Sequence, residues 1–93
     1  MLHPLEHLRL ALGNLSQIAL GRLVGCSEYM ISVAESGKLQ GGKKLLYGLH
    51  SRLGMPLELA RSMADGSASA GQVQDAIALA KTAMQAASKA GVP

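Results

Sequence analysis

The chain has 93 residues, 48% hydrophobic but only 2% aromatic, with nine Lys and Arg against six Asp and Glu for a net charge of +3. That leaves room for one small domain with a modest core and excludes a large multidomain enzyme. The single cysteine excludes an intramolecular disulfide, and no run of about 18 apolar residues marks a membrane span, so the expected location is the cytoplasm.

The positive charge is unevenly placed. Residues 1–53 hold six basic side chains (Arg9, Arg22, Lys38, Lys43, Lys44, Arg52) and three acidic ones (Glu6, Glu28, Glu35), whereas residues 54–93 hold three of each. A polyanionic partner for the N-terminal half is the natural expectation.

The predicted elements are all helical. Pro4 suits a first helical position, and Leu5, Leu8 and Leu12 share a face, giving a helix from Pro4 to Leu12. Ser16 and Ser27 are then placed as N-caps of two further short helices, with Gly25 able to take the left-handed conformation that closes the first of these, Gln17 to Val24. Leu20, Val24, Ile31 and Ala34 fall on the inward faces, and Gly21 has no side chain to hold the second helix away. This is the pattern of a helix-turn-helix, whose second helix enters a major groove at its N-terminal end.

Lys38 to Gly42 reads as a connection, and Lys43 to Leu53 as a fourth helix with Leu45, Leu46, Leu49 and Leu53 at spacings of three and four. Met55-Pro56 opens a fifth, with Leu57, Ala60 and Met63 inward and Asp65-Gly66 at its end. Residues 67–71 form a small-residue linker between a domain of residues 1–66 and a C-terminal helix over 72–90. There Val73, Ile77, Ala80, Met84 and Ala87 make a heptad-like seam on a helix of roughly 30 Å. Alanine favours the helix but buries little surface, so the segment needs a partner, either its own bundle or the same helix of a second copy.

The stretch from Leu15 to Lys38 resembles the lambda-repressor-like (XRE, Cro and repressor) helix-turn-helix family. Leu15, Ser16, Gln17, Leu20, Val24, Gly25, Ser27, Ile31, Ser32, Glu35, Gly37 and Lys38 match its pattern without a gap. The likeness extends more loosely from Leu5 to Ala60 and excludes the tail after Gly66. Gly21, Leu23, Cys26 and Ser36 depart from the usual residues, and Leu23 leaves an apolar side chain on a face expected to be solvated, to be covered by the tail or a second subunit.

The resemblance implies a five-helix lambda-repressor-like bundle with an additional C-terminal helix, a structural ion pair between Arg9 and Glu35, and base readout by Glu28, Tyr29, Ser32 and Val33. Glu28 suits a cytosine amino group, and Val33 a thymine methyl. By charge or backbone N–H exposure, Gln17, Arg22, Ser27, Lys38, Lys43 and Lys44 form the phosphate-contacting set, although each lysine also fits a solvated surface charge.

Cys26 reads as a small packed hydrophobe, and His3 and His7, one helical turn apart, lack a third metal ligand nearby. With no phosphate loop, nucleophile elbow or paired carboxylates, neither an enzyme nor a cofactor is expected. The function expected is that of a dimeric repressor binding double-stranded DNA at a pseudo-palindromic operator, of the type carried by phages, plasmids and other mobile elements. The alternatives are an antitoxin that represses its own operon while its tail binds a toxin, and an antiactivator that binds protein without contacting DNA.

Overall fold

Serine caps and left-handed glycines divide the chain where the sequence places them. The structure, a computed structural model, describes residues 2–38 and 42–90, with only the backbone described for 87–90. The described residues form six α-helices: α1 (Pro4–Ala11), α2 (Gln17–Val24), α3 (Glu28–Glu35), α4 (Lys43–Leu53), α5 (Leu57–Asp65) and α6 (Ala70–Ala90). Most of the predicted connection between α3 and α4, residues 39–41, lies outside the described residues.

The first boundaries have chemical causes. Ser16 Oγ accepts the Ala19 N–H at 3.0 Å and Ser27 Oγ accepts the Met30 N–H at 3.1 Å, each satisfying a first-turn donor. His3 Nδ1 does the same for Leu5 N–H at 3.1 Å, with Pro4 at the first helical position. Helix α2 ends at Gly25, whose φ of +80° is strained for any residue with a Cβ.

All six helices contribute to one core. Leu5, Leu8, Leu20, Ile31, Leu45, Leu49, Leu53 and Met63 are completely buried, and no polar side chain is buried with them among the described residues. Burial of each such leucine, isoleucine or methionine contributes about 1.5–3 kcal/mol, the main force available to a chain this short. Leu23 is half-buried and packs on this same core, so its cover comes from its own bundle.

Three local expectations are corrected. Leu57, expected inward, is 45% exposed, and Met55 before the helix is buried instead. Leu12 is half-buried and α1 ends one residue before it. The linker is also shorter than residues 67–71, because α6 begins at Ala70. There Ser69 Oγ accepts the Gln72 N–H at 3.2 Å while Gln72 Oε1 accepts the Ser69 N–H at 2.9 Å. This reciprocal capping box fixes the helix start.

Helix α6 packs against α1, α4 and α5 of its own chain. Val73, Ala76, Ile77 and Ala80 are buried there and Met84 is half-buried; the side chain of Ala87 lies outside the described residues. Of the two partners the seam allows, the first three turns therefore use the bundle itself.

Candidate nucleic-acid interface

Helix α3 divides sharply between its two sides. Ile31 and Ala34 are buried in the core, whereas Glu28, Tyr29, Ser32, Val33, Ser36 and Lys38 line one shallow open surface. Eight residues of helix give about two turns, so side chains at 28, 29, 32 and 33 rise from one face by periodicity alone. The four residues expected to read bases thus stand together, with Tyr29 67% exposed. Ser36 joins them, its hydroxyl donating to the Val33 carbonyl at 2.7 Å. Its place on the surface follows from one more helical step beyond Ser32.

Two close approaches fix α2 and the turn from which α3 starts. A Cβ on Gly21 would lie 2.6 Å from the Cys26 carbonyl oxygen, so the turn can fold back on α2 only over a glycine. On the far side, a Cβ on Gly48 of α4 would overlap the carbonyl oxygen of Val24. A glycine inside an otherwise leucine-rich helix costs helix propensity, and this backbone contact is its compensation. A lone glycine inside a leucine-rich helix is the sequence signal for such a contact.

The third support is polar. Arg9 Nε donates to Glu35 Oε2 at 2.8 Å and Arg9 Nη2 to Glu35 Oε1 at 2.9 Å, a two-pronged ion pair between α1 and the end of α3. Arg9 Nη1 also donates to the Leu15 carbonyl at 2.9 Å, and Gln17 Nε2 to Glu35 Oε1 at 3.2 Å. One carboxylate therefore joins α1, the start of α2 and α3. Burial pushes the Glu35 carboxyl up, but the hydrogen bonds from Arg9 and Gln17 and the Arg9 and His3 charges outweigh it, leaving its pKa below the usual carboxylate value. The hydrogen bond to Glu35 raises the pKa of Arg9 in turn. Gln17, expected at phosphate, has one end of its amide committed to this network.

The remaining members of the expected phosphate set lie on the surface. Arg22, Ser27, Lys38, Lys43 and Lys44 are all exposed, and Ser27 spends its hydroxyl oxygen on the α3 cap. Helix α4 starts after Gly42 without a side-chain cap, with Lys43 and Lys44 in its first turn. The amides of such a turn, aligned with the helix dipole, favour an anion, and the two ammonium groups add to that field.

Burial raises the Cys26 thiol above its ordinary pKa, an effect the nearby Lys44 charge only partly offsets, which suits a packing role better than a reactive one. His50 Nδ1 donates to the Met55 carbonyl at 2.7 Å and so ties down the α4–α5 turn. Burial lowers the pKa of His3, with Glu35, Asp65 and Glu6 opposing, and its Nε2 is buried without a partner among the described residues. No group of three metal-ligating side chains occurs among the described residues, and no helix there is long and apolar enough to cross a membrane. No family model, curated protein or solved structure matches the chain.

Proposed function

We propose that the chain is a sequence-specific regulator that binds double-stranded DNA through α3, in a lambda-repressor-like arrangement of its first five helices. The observation that carries this reading is the shared exposed surface of Glu28, Tyr29, Ser32, Val33 and Lys38 on a helix whose other side is buried. A major groove about 12 Å wide admits one helix, and these side chains are of the kinds that contact base edges and thymine methyls. Lys43, Lys44, Arg22 and the first-turn amides of α4 supply the phosphate contacts that give such complexes most of their affinity.

Two copies on a pseudo-palindromic site would set their recognition helices about 34 Å apart, one turn of the duplex, and in this reading the bound pair represses by occluding the polymerase. The chain works without catalysis or a cofactor in this reading. Val73, Ile77 and Ala80 are engaged with the chain's own bundle, so the rival readings that assign the tail a protein partner have fewer free apolar residues to use.

The test is footprinting of the purified protein on the DNA upstream of its gene, with selection from randomised duplexes alongside. A two-fold symmetric protected site and steeply salt-dependent affinity are expected. Glu28→Ala should relax preference at one base position by about 1–3 kcal/mol, and Lys43→Ala should weaken all sequences alike while reducing the salt slope by about one. Absence of salt-sensitive binding to any duplex would falsify the proposal.

A further inference from the structure

Arg52 belongs to none of the sets above. It stands in the last turn of α4, eight residues after Lys44 and four after Gly48, so the three share one side of that helix. This side runs along the turn that joins α2 to α3. Gly48 meets the Val24 carbonyl, and Lys44 is close enough to Cys26 for its charge to act on the thiol.

Arg52 completes the row. The point where a Cβ would stand on Gly25 lies 3.0 Å from Arg52 Cζ, 3.2 Å from Nε and 3.2 Å from Nη2. Three atoms of one planar group almost equidistant from one point place that point over the plane. The face of the exposed Arg52 guanidinium therefore covers the space that a side chain at Gly25, the left-handed residue that ends α2, would fill. The cation also sits beside the negative end of the α2 dipole, where positive charge is favoured. Only Cys26 separates Gly25 from Ser27, the cap from which α3 starts. The Gly25 turn therefore stands immediately before the start of the helix that carries Glu28 and Tyr29.

Resting on the DNA-binding reading, we infer that Arg52 is a positioning residue. Its guanidinium plane holds the Gly25 turn and so sets where the base-reading residues of α3 stand. Charge alone does not do this, because an ammonium cannot lie as a plate against a backbone.

The experiment compares Arg52→Ala and Arg52→Lys with the wild type at a temperature where all three are folded. Three quantities are read: the amide NMR shifts of Gly25, Cys26 and Ser27 in the free protein, the affinity ratio between a duplex selected by the wild type and a scrambled one, and the salt slope of binding. Both variants should move the three amides and lower the ratio about tenfold, the order expected when one base contact is misplaced, with the salt slope unchanged. A slope reduced by about one in Arg52→Ala and restored in Arg52→Lys would make Arg52 a phosphate contact and overturn the inference. Unmoved amides with an unmoved ratio would overturn it too. Should the wild type show no sequence preference, the DNA-binding reading fails, and the amide shifts of the free protein decide by themselves whether Arg52 positions the turn.

Discussion

Helices α3 and α6 are fastened to the same bundle by different means. Around α3 and the α2 turn that leads into it, backbone approaches tolerate no side chain at Gly21 and Gly48, and a charged network centred on Glu35 is added to the core burial of Ile31 and Ala34. Along α6 they are the small and aliphatic side chains Val73, Ala76, Ile77 and Ala80, buried against α1, α4 and α5. Directional contacts fix an orientation, whereas apolar burial is roughly proportional to area and specifies orientation less tightly. Helix α3 is thus the one to which directional contacts are added. The alanine-rich helix is held chiefly by the area it removes from water.

The largest effect should come from the closest backbone contact. Gly48→Ala forces a Cβ into the Val24 carbonyl, and chemical denaturation should report a loss of about 3 kcal/mol or more, as overpacking against an unyielding backbone demands. A near-neutral result would mean that α4 can slide from α2 without cost, and the contrast with α6 would collapse.

Glu35→Ala leaves Arg9 and Gln17 without their acceptor, in a pair whose side chains are only 15% and 7% exposed, and should cost about 2–4 kcal/mol. The pH dependence sharpens this. Because the folded-state pKa of Glu35 is depressed, its contribution is complete above the ordinary carboxylate pKa of about 4.3 and is lost as pH falls through the lower folded value. Wild-type stability should therefore drop more steeply than that of Glu35→Gln as the solution is acidified below about pH 4, measured by thermal melts at each pH. Parallel curves would remove Glu35 from the account.

On the α6 side, Ile77→Ala should cost about 2 kcal/mol or somewhat more, by lost burial and a cavity. Hydrogen exchange should then show α6 opening ahead of α3, since the seam is the main attachment of its first turns. Smallest of the four, Ser69→Ala should remove about 1 kcal/mol and loosen the start of α6, visible as faster exchange at Gln72. If Ser69→Ala instead loosened α3, the two helices would not be independently fastened.

Much of this was legible in the residues. Ser16, Ser27 and Gly25 announce where α2 and α3 begin and end, because capping and left-handed backbone are local chemistry between residues a few positions apart. The inward and outward sides of α3 follow from helical period, which groups Glu28, Tyr29, Ser32 and Val33 before any packing is known. The Ser69–Gln72 capping box was equally local, although composition alone made Ser69 look like linker.

Tertiary structure decided the rest. Whether the α6 seam faces its own bundle or another chain depends on the shape of the groove between α1, α4 and α5, to which residues far apart in sequence contribute. For the same reason, the phase of α5 that exposes Leu57 and buries Met55, and the meeting of Gly48 with Val24 and of Arg52 with Gly25, had no local signature sufficient to place them. Hydrogen bonds and dihedral preferences act within a turn of helix and are written in neighbouring residues. Close packing acts between surfaces that exist only once the helices have met.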